Sequence, residues 1–135
     1  MHVINTIVNR QNVLCIDGIE ILEFDYSNIS DTDLIELFDI HASKITNLYP
    51  KNTYILLNVK NGPTSVRIIE ACKKIMMRNI FDKSVAAIYN INSLSKLILK
   101  TINVIYKTNV AVFDTREDCI LFLVTTAKKN AINRV

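Results

Sequence analysis

Short apolar runs alternate with amphipathic stretches along most of this 135-residue chain. Residues 53–59 (TYILLNV) and 84–89 (SVAAIY) are nearly continuous apolar runs, which is typical of strands buried on both faces. Residues 109–113 (NVAVF) form a third run of this kind. Apolar residues recur at helical spacing after each run, so the pattern predicts strands that alternate with helices.

The N-terminal part of the chain has a different pattern. Residues 2–9 mix Val, Ile and Thr with Asn, residues 13–17 are a short apolar run, and residues 21–26 (ILEFDY) alternate apolar with acidic positions. Gly18 lies between the last two segments and favours a turn there. We therefore expect two or three N-terminal strands that add an antiparallel edge to the sheet.

Capping residues mark where the helices begin. Ser30, followed three residues later by Asp33, predicts the start of the first helix, and Pro50 predicts its end. Asn92 and Thr115 precede the third and fourth helices in the same way. Helical spacing also predicts which residues face the core. In the first helix they are Leu34, Phe38, Ala42, Ile45 and Leu48, with Leu37 and His41 beside them, and in the second they are Ile68, Ile69, Cys72, Ile75, Met76 and Ile80. In the third helix they are Leu94, Leu97, Ile98, Thr101, Ile102 and Ile105, and in the fourth they are Ile120, Leu123, Val124 and Ala127.

This order of elements predicts an α/β fold. Strands that alternate with helices form mostly parallel sheets with right-handed crossovers. We expect a mixed, mostly parallel sheet of four or five strands with an antiparallel N-terminal edge and about four helices. Residues 1–127 are predicted to form a single domain, because the chain has the length of one domain and no linker. Residues 128–135 are predicted to be a polar tail.

The composition of the chain bears on its possible partners and on its cellular compartment. The net charge is +3, from 16 basic and 13 acidic residues, which is too balanced to favour nucleic acid. Cys15, Cys72 and Cys119 are far apart, so we interpret them as thiols in a reducing compartment. No apolar run approaches the length of a membrane span, and the N-terminus does not resemble a signal peptide. We expect a cytoplasmic protein without a membrane span.

Catalytic motifs are missing from the sequence. Two glycines cannot supply a P-loop or a dinucleotide-binding loop. The histidines are His2, at the chain start, and His41, beside an apolar helix stripe where a packed histidine is the usual case. We therefore expect no enzyme activity, no catalytic residue, no metal site and no cofactor.

Polar residues follow each buried strand, and this is where α/β sheets bind ligands. The three places are residues 61–65, 90–93 and 114–115. Backbone N–H groups at a helix start attract anions, and hydroxyl side chains there also cap helices. The sequence leaves both interpretations open for Thr64, Ser65, Ser93 and Thr115.

Three segments resemble small bacterial STAS (SpoIIAA-like) proteins. They are FDYSNISDTDLIELFDIHASKI, TYILLNVKNGPTSVRIIEACKKIM and SVAAIYNINSLSKLILKTINVIYKTNVAVFDTREDCILFLV, and the likeness extends over residues 21–124. The resemblance implies a STAS-like fold, similar to that of anti-sigma-factor antagonists and of the lipid-binding lobe of CRAL-TRIO proteins. It also implies a non-catalytic regulatory role.

In the antagonists that this chain resembles, a phosphorylated serine at the start of the second helix controls partner binding. The equivalent stretch here is Asn-Gly-Pro-Thr-Ser, residues 61–65, so the resemblance assigns a phosphorylation switch to Thr64 or Ser65. The antagonist motif has an Asp before its hydroxyl residues and a Gly after them. This chain lacks both, which separates it from the antagonists at this position.

Two functional hypotheses follow. The first is a module that binds another protein through the basic face of the second helix, with Arg67, Lys74 and Arg78. The second is a domain that binds a lipid or other apolar ligand, as in CRAL-TRIO proteins. The sequence leaves the identity of the partner and the oligomeric state open.

Overall fold

The computed structural model describes residues 10–48, 53–76, 84–106 and 110–132. These residues form a five-stranded sheet and four helices, and strands and helices alternate as the apolar pattern predicts. The predicted strand at residues 2–9 lies outside the described residues. The strands are β1 (Gln11–Ile16), β2 (Ile19–Asp25), β3 (Thr53–Asn58), β4 (Ser84–Tyr89) and β5 (Val110–Val112), and the helices are α1 (Asp31–Leu48), α2 (Val66–Met76), α3 (Ser93–Tyr106) and α4 (Arg116–Ile132).

The predicted antiparallel edge is confirmed. β1 pairs with β2 in an antiparallel hairpin in which Ile16 lies opposite Ile19. The two residues between the strands, Asp17 and Gly18, have φ angles of 53° and 79°. An Asp-Gly pair with two positive φ angles is the turn that best matches the twist of a two-residue hairpin.

The order of the strands explains where the helices lie. Strands β2 to β5 are parallel and neighbour one another in chain order. Because parallel crossovers are right-handed, a sheet that always grows in the same direction places its crossover helices on one face. Helices α1, α2 and α3 therefore share a face, and α4, which follows the last strand, covers the opposite face. The mixed, mostly parallel sheet predicted from the sequence is confirmed.

Alternation along the strands divides the core into two layers. Leu22, Ile55 and Ala86 point towards α1, α2 and α3, whereas their neighbours point towards α4. The buried members of the α4 layer are Ile21, Leu56, Ala87, Tyr89, Cys119, Leu123 and Val124.

The helix caps predicted from the sequence are confirmed. The backbone N–H of Asp33 donates to Ser30 Oγ at 3.3 Å, which caps α1. Asn92 Oδ1 accepts from the N–H of Ser95 at 2.8 Å in the same way at α3. These hydrogen bonds satisfy backbone donors that the first helical turn leaves without partners.

The predicted inner face of α3 is partly wrong. Leu94 and Leu97 are 59% and 62% exposed, and Thr101 is exposed as well, whereas Ile102 is buried as predicted. The helix is apolar on two sides, so periodicity alone could not select the side that meets the sheet. The outer stripe of α3 consists of Leu94, Leu97, Thr101 and Val104, all of them exposed.

Two further differences concern the ends and faces of helices. In α1, Leu37 and His41 are buried at the centre of the interface rather than beside it, at 0% and 2% exposure. Helix α4 continues to Ile132, so five of the residues predicted as a polar tail are helical. Lys128 Nζ within this extension lies 2.9 Å from Asp17 Oδ2 in the hairpin turn.

Candidate functional site

A cavity of about 200 Å³ lies between the sheet and helices α1, α2 and α3. Its wall is mostly apolar and is formed by all four of these elements. Among the described residues, no Asp, Glu, Lys or Arg lines it. Representative wall residues are Phe24, Ile55 and Ile88 from the sheet and Phe38, Ile68 and Leu99 from the helices.

Small side chains in the wall account for part of this space. Ala86 lies on β4 within the sheet, and Ala42 faces the same cavity from α1. Both are buried, at 3% exposure each. A leucine or isoleucine at either position would extend into the volume that is open here. The small side chains of Ala42 and Ala86 therefore account for part of the open space in this apolar core.

The buried part of the wall contains a hydrogen-bonded pair of polar side chains. Tyr26 Oη and His41 Nδ1 share a hydrogen bond of 2.7 Å. The imidazole stacks on Phe24 with ring centroids 4.1 Å apart, and Phe38 meets the Tyr26 ring edge-on at 5.5 Å. Burial raises the pKa of the Tyr26 hydroxyl far above its ordinary value, so the phenol is neutral.

Cys72 of α2 also lines the cavity. Burial raises the pKa of its thiol to about 11. Since the thiolate is the reactive form of cysteine, this side chain is a poor nucleophile at neutral pH. Cys72 therefore contributes an apolar, polarisable surface to the wall.

The solvent-exposed part of the wall is formed where α2 and α3 begin. Thr64 Oγ1 and Ser95 Oγ share a hydrogen bond of 2.8 Å, which joins the two helix starts. Asn92, which caps α3, donates from Nδ2 to Thr64 Oγ1 at 3.5 Å. These three residues line the cavity on the side where Asn92 is exposed to solvent.

Two of the three places predicted after the strands come together. Residues 61–65 and 90–93 meet through Thr64 and Asn92 because they follow neighbouring parallel strands. The third place does not join them. Thr115 Oγ1 accepts from the N–H of Asp118 at 3.1 Å and so caps α4, which covers the other face of the sheet.

The predicted site residues have different surroundings. Thr64 lines the cavity, whereas Ser65 caps α2 by accepting from the N–H of Ile68 at 3.3 Å. Arg67 and Lys74 are exposed on the outer face of α2, and Arg78 lies outside the described residues. Phosphorylation of Thr64 or Ser65 stays a prediction.

The sequence pattern does not predict that Tyr26 and His41 form a pair. It predicts a packed histidine at His41 and the end of a strand at Tyr26. One signal pointed to them: a histidine within an apolar helix stripe needs a polar partner when it is buried. The partner, Tyr26, lies directly after strand β2. The helical pattern of α1 does not indicate which residue of the sheet His41 contacts.

No helix among the described residues is long and apolar enough to cross a membrane. In the same residues, no cluster of three His, Cys, Asp or Glu side chains is suited to hold a metal ion. Neither the protein-family models nor the curated proteins give a significant match to this chain.

Proposed function

We propose that this chain is a non-catalytic module that binds a compact apolar molecule in the cavity between the sheet and helices α1, α2 and α3. The observation that carries the proposal is the cavity itself, an apolar space of about 200 Å³ that extends from the buried core to the solvent-exposed Asn92. Protein cores are normally packed without such spaces, and an empty one costs stability. A ligand would restore the missing contacts.

The size of the cavity sets the size of the ligand. In another protein, an apolar cavity of about 150 Å³ lined by Leu, Ile and Phe binds benzene. A cavity of about 200 Å³ accepts a substituted ring or a short branched chain. It is smaller than the sites of about 300–1,000 Å³ that hold drug-sized molecules. We therefore propose a small apolar ligand rather than an intact membrane lipid.

The resemblance to STAS (SpoIIAA-like) proteins supports the same class of function. The α/β architecture and the mixed sheet agree with what that resemblance implies. On this basis we propose that the chain is a non-catalytic binding domain with a cytoplasmic role. The neutral state of Tyr26 and the high pKa of Cys72, both caused by burial, suit binding better than acid–base or nucleophilic chemistry.

Native mass spectrometry of freshly purified protein, combined with thiol alkylation, tests the proposal. We expect a small-molecule adduct on the native protein. We also expect added 4-ethyltoluene to slow the alkylation of Cys72 by N-ethylmaleimide at pH 8.5, where more thiolate forms than at neutral pH, because the compound and the reagent occupy the same cavity. Cys15, which is exposed on β1, is the internal control and should react at the same rate with and without the compound. A bare native mass together with unprotected Cys72 would overturn the proposal.

The outer surface of α2 and α3 supports a second candidate function, the binding of an acidic amphipathic helix of another protein. Spacings of three, four and three residues place the outer stripe of α3 on one side of that helix. Lys96 and Lys100 are exposed on the same helix, and Arg67 and Lys74 are exposed on α2. Helix α3 contains no acidic residue, and the exposed Glu70 of α2 is paired with Lys73 at 3.7 Å, so charge complementarity favours an acidic partner.

Two synthetic helical peptides with the same leucine stripe, one flanked by Glu and the other by Lys, test this surface. Fluorescence anisotropy should show binding of the acidic peptide, with weaker binding at high salt. Leu97→Asp should abolish that binding. Leu121→Asp is the matched control, because Leu121 is 66% exposed on α4 at the opposite face. Absence of acidic-peptide binding, or equal binding of the two peptides, contradicts the second candidate.

A further inference from the structure

We infer that the ligand of the cavity is an uncharged apolar molecule that carries one hydroxyl group, and that this hydroxyl binds the Tyr26–His41 pair. This inference rests on the proposed function of the cavity and specifies the chemical class of its ligand. It follows from the arrangement of polar groups in a wall that is otherwise apolar.

Burial distinguishes this pair from the other polar groups of the wall. His41 and Tyr26 are 2% and 5% exposed, whereas Asn92 is exposed to solvent. Thr64, Ser95 and Asn92 hydrogen-bond one another at the solvent-exposed side. A polar group that a ligand places at the buried end of the cavity is removed from water, so it needs a partner in the buried wall. Tyr26 and His41 are the polar side chains that the described residues provide there.

The Tyr26 hydroxyl has capacity for a second hydrogen bond. A phenol can donate one hydrogen bond and accept others, and among the described residues Tyr26 Oη bonds only to His41 Nδ1. If the phenol donates to the imidazole, its oxygen can still accept from a ligand. If the imidazole N–H donates instead, the phenol O–H can donate to a ligand.

A hydroxyl group matches both of these states, because it donates and accepts. A carbonyl group only accepts, and an ammonium group only donates, so each matches one state alone. Charged groups are excluded by a different effect. No Asp, Glu, Lys or Arg among the described residues lines the cavity, and an ion buried there without an opposite charge would be strongly destabilised. Phenols and small alcohols are therefore the expected class.

Isothermal titration calorimetry with 4-ethylphenol and 4-ethyltoluene tests this assignment. The two probes have nearly the same shape and differ by a hydroxyl in place of a methyl group. Tyr26→Phe should weaken 4-ethylphenol binding about three- to tenfold, the usual effect of one neutral hydrogen bond, and leave 4-ethyltoluene binding within about twofold. Circular dichroism and thermal unfolding establish that the variant is folded.

The outcomes separate the two proposals. If both probes bind and Tyr26→Phe affects them equally, the hydroxyl assignment is wrong while the apolar site stands. If neither probe binds the wild-type protein, the proposed function itself fails. A second measurement needs no variant: the ring ¹⁵N signals of His41 should shift when 4-ethylphenol binds and should shift less with 4-ethyltoluene. Equal shifts with the two probes also overturn the assignment.

Discussion

Arg116 at the start of α4 forms a two-point ion pair with Glu23 of β2. Its Nε donates to Glu23 Oε2 at 2.7 Å, and one terminal nitrogen donates to Oε1 at 3.0 Å. The hydrogen bond that Arg116 donates to Glu23 raises the pKa of the Arg116 guanidinium, which therefore stays charged. Glu23 is partly buried, which makes this contact a link between the sheet and the helix on its second face.

Arg116→Ala should lower the free energy of unfolding by about 1–2 kcal/mol, because Glu23 then loses both hydrogen bonds in a partly buried position. The control is Lys128→Ala, which breaks an ion pair in which both side chains are more than half exposed. That change should cost less than about 0.5 kcal/mol. Urea unfolding at pH 7 measures both values. Equal losses would mean that the Arg116 pair contributes no more than a surface contact.

Two neighbouring alanines should respond in opposite ways to the same substitution. Ala86 lines the cavity, so Ala86→Val adds two methyl groups to open space and should stabilise the protein by about 0.5–1 kcal/mol. Ala87 points to the opposite face and is fully buried in the α4 layer, so Ala87→Val should cost about 1–3 kcal/mol by overpacking. Thermal or urea unfolding measures the difference. Changes of the same sign would contradict the open space beside β4.

Stability should fall at alkaline pH because of Cys72. Burial raises the pKa of this thiol from 9.0 to about 11, so the folded state keeps a proton that the unfolded state releases. The unfolded state binds fewer protons between these two values, and the free energy of unfolding therefore declines as the pH rises through that window. Between pH 8 and 10.5, the wild type should lose about 2 kcal/mol more than Cys72→Ala.

The comparison for this measurement is Cys15→Ala, which removes an exposed thiol from β1 and controls for the loss of a cysteine. Urea unfolding at several pH values gives the required free energies. Identical pH dependence of the wild type and Cys72→Ala would show that the thiol is not buried as described.

Gly18 should be needed for its backbone conformation alone. Its φ angle is +79°, and a Cβ placed there would have no atom within 4 Å. Gly18→Ala should therefore cost about 1–2 kcal/mol, the strain of a left-handed residue with a side chain. Gly18→Asn should cost less, because asparagine tolerates this region. Chemical denaturation measures both variants, and an alanine variant as stable as wild type would contradict the assigned turn.

Much of the fold was predictable because the signals are local. The apolar run at residues 84–89 and the caps at Ser30 and Asn92 each identify an element from a few adjacent residues. The direction of the outer stripe of α3 was not predictable. Apolar residues lie on two sides of that helix, and the packing of the whole sheet decides which side is buried.

The candidate site was predictable only in part. Thr64 was expected near the carboxyl ends of the strands, where parallel strands place their loops together. Its partner Ser95 is 31 residues away along the chain, and no sequence period connects the two. Cys72 was expected on the inner face of α2, but nothing in its spacing indicated a cavity beside it.

The sequence by itself determined the alternation of strands and helices, the antiparallel hairpin at Asp17 and Gly18, and the caps, because each depends on neighbouring residues. Only the tertiary structure decided that Tyr26 meets His41, 15 residues away, beside an open apolar space. The contact depends on how α1 packs on the sheet. The open space beside it depends in part on the small size of Ala86. Packing between distant elements has no period in the chain, so the sequence pattern could not predict the cavity or the Tyr26–His41 pair beside it.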